Sequence, residues 1–229
     1  MPRLAILHTV ASLVDLFKPL LARAYPGLDT YHVVDESLLQ DLMRHGTSEG
    51  LNRRVAAHAI LARDAGASVV LFTCSSTSPA VDVARPLVDI PILKIDDPMA
   101  KRAVELGRRI GLVCTAASTK GPSEALLRDH AAARGRAIEV VPVLRSDAYE
   151  ARLAGDQAAH DRIVTEAGLS LSADCDAIVL AQASLAHLGP VLQARTGVPI
   201  LTSPALCVEA LASWLNRGDR RMPTGSTPC

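Results

Sequence analysis

Cys74 closes a short apolar run, residues 68–73, and is followed by Ser75, Ser76, Thr77 and Ser78 before Pro79. A thiol placed this way can serve as acid, base or nucleophile near neutral pH, with the thiolate as the reactive form. Hydroxyls and backbone amides at a helix start can hold a small anion without a metal. The plain alternative is a structural cysteine in a Ser-rich turn, because free Cys often behaves as a small hydrophobe.

The elements around Cys74 decide how such groups are placed. Residues 68–72 read as a buried strand, and the small polar residues after them read as a strand-to-helix turn of an open α/β sheet. Ligands in such sheets bind outside the carboxyl ends of the strands. The pattern predicts strands over 4–8, 30–34, 68–72, 90–95, 109–114, 138–143, 177–180 and 198–201. It predicts helices over 13–24, about 36–45, 49–65, 79–87, 99–106, 123–133, 148–154, 158–173, 187–195 and 205–216, with Gly46, Gly66 and Gly107 as stops.

The chain repeats itself. Residues 4–12 lie on 110–118, 70–76 on 178–184 and 90–93 on 198–201, at offsets of 106, 108 and 108. Three matches in order imply two similar α/β lobes with Rossmann-like, mostly parallel sheets. A pseudo-twofold axis would turn their strand ends toward one cleft. The expected division is 1–95 with 204–216 as one lobe, 96–203 as the other, and 217–229 as a flexible tail.

Composition narrows the function. The chain has 229 residues, 49% hydrophobic, enough for a full core. Its 24 basic and 24 acidic residues balance and only 3% are aromatic, which argues against nucleic-acid binding. No apolar run approaches the ~20 residues of a membrane span. Five scattered Cys suggest a reducing cytoplasm, and seven scattered His show no zinc spacing. Self-association into a homo-oligomer stays open.

The run ending at Cys74, the run from Gly111 through Thr115 to Thr119, and the run 198–204 resemble the aspartate/glutamate/hydantoin racemase superfamily over residues 3–216. The resemblance implies a small carboxylate substrate, no cofactor and no metal. It also implies paired cysteines, one per lobe, that exchange a proton on opposite faces of a carbon next to a carboxylate. Relatives such as arylmalonate decarboxylase and maleate isomerase reuse the scaffold on other acids.

Cys74 takes the place of the first catalytic cysteine, its pKa expected to be lowered by nearby helix N-termini. Expected substrate-binding residues are Thr9, Ser12, Ser75, Ser76, Thr77, Thr115, Ser118, Thr119, Gln182, Ala183 and Ser184. Their competing role is helix capping. The sequence departs from the family where the second thiol should stand: the turn reads Ala181-Gln182-Ala183-Ser184. Gln182 can donate a hydrogen bond but cannot carry a proton at neutral pH. His187 titrates in the useful range and could replace the thiol if it points into the cleft. Three readings follow. The first is an enzyme of isomerase, decarboxylase or lyase type with Cys74 as acid/base or nucleophile. The second is a two-base racemase using His187. The third is a non-catalytic binder of small acids.

Overall fold

The computed structural model describes residues 2–218. The tail assigned above to 217–229 lies almost wholly outside the described residues. The first half contains β1 (Arg3–His8), α1 (Ser12–Ala24), β2 (Asp29–Val34), α2 (Glu36–His45), α3 (Glu49–Asp64), β3 (Val69–Phe72), α4 (Ser78–Ala84) and β4 (Ile92–Lys94). The second half contains α5 (Asp97–Leu106), β5 (Arg109–Cys114), α6 (Ala117–Ala132), β6 (Glu139–Leu144), α7 (Ser146–Leu153), α8 (Gln157–Leu171), β7 (Ala177–Leu180), α9 (Gly189–Arg195), β8 (Ile200–Thr202) and α10 (Ser203–Gly218).

Two four-stranded sheets result, ordered β2-β1-β3-β4 and β6-β5-β7-β8, with every pairing parallel. Parallel sheets need helices on both faces, so their central strands read as continuous apolar runs. Val69–Phe72 and Ala177–Leu180 are buried at every position. One face of the first sheet packs Ala5, Leu7, Val70 and Phe72 on α3 and α4. The other packs Leu4, Ile6 and Leu71 on α1 and on Val208 and Leu211 of α10. The second sheet is covered in the same way, by α5 and α6 on one face and α8 and α9 on the other.

The strand order reverses direction between β1 and β3, and again between β5 and β7. These are the switch points outside which open α/β sheets bind ligands. Both face one cleft. Ala183, from the turn after β7, packs into the apolar cluster of the first sheet and so couples the two halves.

Three boundaries differ from the sequence reading. Helix α6 starts at Ala117, six residues before the predicted 123, because Gly121 and Pro122 lie inside it and do not stop it. Pro removes an N–H and normally breaks a helix interior, but here it falls in the second turn, early in a 16-residue helix. The predicted helix at 187–195 is a 3-10 turn over Ala183–Leu188 followed by α9. The predicted strand 90–95 shortens to Ile92–Lys94.

Candidate active site

The loops after β1, β3, β5 and β7 enclose a cleft of about 370 Å³. Its floor carries Thr9, Thr73, Cys74, Ser75, Ser76, Ser118, Thr119, Gln182, Ala183 and Ser184. Nine of the residues singled out in the sequence therefore meet here: all of these except Thr73.

Each floor residue has a local reason for its place. The Cys74 side chain sits just past the buried end of β3 and is 8% exposed. The hydroxyls of Thr77 and Ser78 donate to the Cys74 carbonyl at 3.2 and 3.4 Å and fasten the turn. Ser76 Oγ lies 3.1 Å from both Ser118 Oγ and Thr119 Oγ1. Three hydroxyls from the two halves thus cluster at the first turn of α6. Thr9 Oγ1 is buried and has no hydrogen-bond partner among the described residues. Leaving a buried hydroxyl unpaired costs about 1–3 kcal/mol, so a ligand oxygen beside Thr9 would relieve that cost.

Gln182 is oriented by Thr115. The Thr115 backbone N–H and its hydroxyl both donate to Gln182 Oε1, at 2.7 and 3.0 Å. The amide oxygen is fully engaged, and the two N–H donors of Gln182 are left for the cleft.

Ser75 ties the halves together. Its Oγ lies 3.0 Å from Asp96 Oδ1 and 2.9 Å from the Ala181 carbonyl. One hydroxyl proton cannot serve two acceptors at once. The geometry closes if Asp96 is protonated: Asp96 then donates to Ser75, and Ser75 donates to Ala181. Asp96 is 3% exposed, and burial raises its carboxyl to about 7; the Ser75 hydroxyl opposes that rise when it donates to the ionised carboxylate, and the Asp97 charge adds to it.

Thr73 is held from behind. Its hydroxyl donates to the Leu7 carbonyl at 3.1 Å, so His8 Nδ1–H donates to Thr73 at 2.9 Å. His8 Nε2 then accepts from His32 Nδ1 at 2.8 Å. Burial, followed by the neighbouring His32, lowers His8 to about 4 and keeps it neutral.

Four residues expected at the ligand stand elsewhere. Ser12 is exposed at the first turn of α1. Thr77 is a fastener of the Cys74 turn, and Thr115 positions Gln182 without lining the cleft. His187 points away from the cleft. Its Nε2 lies 2.9 Å from Asp161 Oδ1 on α8 and its Nδ1 3.1 Å from the Ser184 carbonyl.

Sequence reading missed the rim. Leu39 and Met43 of α2 and Tyr149 and Leu153 of α7 line the mouth, with Val10 and Leu13 below them. The Tyr149 hydroxyl donates to Met43 Sδ at 3.7 Å across the mouth. The i, i+4 spacing is the same in both helices, so the internal repeat carried a usable signal. Arg152 joins them as a charged side chain of the lining, and its guanidinium has no ion-pair or hydrogen-bond partner among the described residues. Among the described residues, no Asp or Glu lines the cleft.

Paired parallel α/β lobes with a thiol and hydroxyls at one interlobe cleft define a two-lobed, cleft-forming α/β protein. The Asp/Glu/hydantoin racemase family matches residues 8–211, and the chain belongs to that family. It is accordingly an enzyme of racemase or isomerase type, and the family acts on small carboxylates. Solved structures with the same fold include allantoin racemase from Klebsiella pneumoniae, at 17% identity and TM-score 0.70 over 100% of this chain and 96% of that one. Glutamate racemase RacE1 from Bacillus anthracis matches at 17% identity and TM-score 0.73, over 94% of this chain and 82% of that one. An aspartate racemase homologue from Pyrococcus horikoshii matches at 16% identity and TM-score 0.69, over 94% and 100%. No curated protein matches the chain in sequence. Among the described residues, no helix is long and apolar enough to cross a membrane.

Proposed function

We propose that the protein acts at the carbon next to a carboxylate of a small acid, with Cys74 as the proton-carrying or nucleophilic thiol of the cleft. The observation that carries this reading is the composition of the cleft floor. Cys74 shares it with hydroxyls from both halves, while Gln182 and Ala183 line it from the turn where the resemblance would put a second thiol.

A carbon acid beside a carboxylate ionises only if fixed donors hold the enediolate that forms. Thr9, the Ser76–Ser118–Thr119 cluster and the Gln182 amide are such donors. Racemisation by two bases needs a proton carrier on each face of the carbon. Among the described residues of the cleft floor, Cys74 is the thiol available, since His187 is turned toward Asp161. One thiol suffices to protonate a carbanion left by loss of carbon dioxide. It also suffices to add to a double bond and let it rotate, or to assist an elimination. Isomerase, decarboxylase and lyase chemistry therefore fit better than racemisation of an amino acid.

The rim supports the same conclusion. An α-ammonium would find no carboxylate in the lining. An apolar substituent would find Val10, Leu13, Leu39, Met43 and Leu153, and a second anionic group would find Arg152. The substrate favoured is a small acid with an apolar group near the reacting carbon.

The test is turnover in deuterium oxide, followed by NMR, with 2-substituted malonates, maleate-type unsaturated acids, aspartate and glutamate. Expected are turnover of one of the first two classes, deuterium entering on a single face, and loss of both with Cys74→Ser. Aspartate or glutamate racemisation near the enzyme median of about 10 s⁻¹, abolished by His187→Asn, would overturn the reading.

A further inference from the structure

Outside the cleft, one group of donor atoms takes no part in the proposed reaction. His160 Nδ1, Asp161 Oδ1 and His187 Nε2 lie within 4.8 Å of one another. Asp161 Oδ1 is 2.7 Å from the first nitrogen and 2.9 Å from the second. The two imidazole rings are nearly parallel, with centroids 6.3 Å apart.

The hydrogen positions on His187 make the case. Nδ1 faces the Ser184 carbonyl at 3.1 Å, and a carbonyl only accepts, so Nδ1 carries a hydrogen. A neutral ring then turns the lone pair of Nε2 toward a carboxylate oxygen 2.9 Å away. Two acceptors at that separation repel. Either a second proton or a bound cation must lie between them. A ring that donates one N–H to a backbone carbonyl and offers the other nitrogen to a carboxylate-held ion is the usual outer arrangement of a metal-bound histidine.

Gln157 supplies a fourth group. Its amide end lies 2.7 Å from Asp161 Oδ1 and 3.2 Å from His160 Nδ1. The amide's oxygen and nitrogen exchange places by a flip, so the same position can present Oε1 to an ion. His160 is fully buried, while Asp161 and His187 are partly exposed and leave an entry path. The first turn of α8 opposes a cation through its dipole, and the carboxylates of Asp156, its N-cap, and Asp161 offset that.

We propose that His160, Asp161 and His187, with Gln157, bind a first-row transition-metal dication such as Zn²⁺. Imidazole with carboxylate suits Zn²⁺, Co²⁺ or Ni²⁺ better than Mg²⁺ or Ca²⁺. The role is structural. The ion would tie the 3-10 turn Ala183–Leu188 to α8 and so hold the cleft residues Gln182 to Ser184.

The test uses the full chain without an affinity tag. Co²⁺ is titrated in and followed by visible absorption, then displaced by Zn²⁺. Expected are one saturable Co²⁺ with an N/O spectrum lacking a thiolate band, unchanged by Cys74→Ser. His187→Ala and Asp161→Asn should weaken binding by at least about 10–100-fold, the loss seen even for outer-shell partners. Zn²⁺ should also slow amide exchange in 182–188 of the wild type and not of His187→Ala. His187 is half exposed, so its replacement leaves the fold intact, which circular dichroism verifies. Absent binding, a thiolate band removed by Cys74→Ser, or unchanged affinity in His187→Ala would each overturn the proposal.

Discussion

Asp96→Asn tests the hydrogen-bond chain that joins the two halves at the cleft. With Asp96 protonated, its carboxyl donates to Ser75 and Ser75 donates to the Ala181 carbonyl; with Asp96 ionised, Ser75 can only donate to it. Asn can take over the first bond through its amide N–H, but it does not titrate. Asp96 ionises near 7 in the folded protein against an ordinary 3.8. Between those values the folded state holds a proton that the unfolded chain has released, so stability falls as pH rises and is flat above about 7. At ~1.4 kcal/mol per pH unit the total is on the order of 4 kcal/mol. His8 works in the opposite sense. Its folded value of about 4 lies below the ordinary 6.5, so stability rises with pH between them. Asp35, held near 2, and Asp97, also lowered, lose their contribution only below their ordinary value of 3.8. Wild-type stability should therefore change little from about pH 4 to 6.5, and only the comparison with Asp96→Asn isolates the carboxyl. Urea unfolding of both proteins across about pH 4.5 to 8 is the assay. The variant should gain on the wild type steadily up to about pH 7, by roughly 3–4 kcal/mol in all, and then run parallel. A difference that stays constant across that range would refute the protonated Asp96 and the chain built on it.

Limited iodoacetamide near neutral pH should modify Cys74 before Cys114, Cys175 or Cys207, because burial raises the other three thiols, Cys114 to about 12. A bound small carboxylate should protect Cys74; equal rates without protection would remove its role. Ser76→Ala should weaken binding of the substrate acid about tenfold or more, from a lost bond to a charged group worth roughly 1.5–3 kcal/mol. Thr115→Ala should weaken it less, since Thr115 acts through Gln182; the reverse order in calorimetry would refute that assignment. Arg152→Ala should raise KM about tenfold for an acid with two anionic groups and little for one with a single carboxylate, and an equal effect on both would return Arg152 to the solvent.

Most of the fold was legible because its signals are local. The run Val69–Phe72 is apolar at every position because both sheet faces are covered, and the repeat at offsets of 106 and 108 announced the second lobe. Cys74, Ser76, Ser118 and Gln182 could be placed at one cleft from the sequence because strand ends at switch points converge by topology. What escaped depended on distant partners. Thr115 looked like a ligand donor, yet its hydroxyl is taken by a side chain 67 residues away. His187 sits close in sequence to the cleft, but the 3-10 turn after β7 rotates it onto α8. Arg152 carried no signal in the sequence, because its place at the mouth depends on how α7 packs. The early start of α6 was hidden by Gly121 and Pro122, whose local preference the packing of α6 overrides.

The pseudo-twofold relation gives the difference between the two strand-end turns a chemical meaning. Equivalent turns approach a bound acid from the two lobes, so a change in one is a change on one side of the ligand. On the Cys74 side stands a group that can give or take a proton. On the Gln182 side the amide oxygen is consumed by the N–H and hydroxyl of Thr115. What remains is a pair of N–H donors, which can hold developing negative charge but cannot remove a proton. Two equal thiols would make the reaction symmetric and the product racemic. A thiol facing an amide makes it directional: charge is held from one side and the proton is moved from the other. On the function proposed above the product is expected to be of a single hand, and Gln182→Cys is the substitution expected to bring the mirror-image product back.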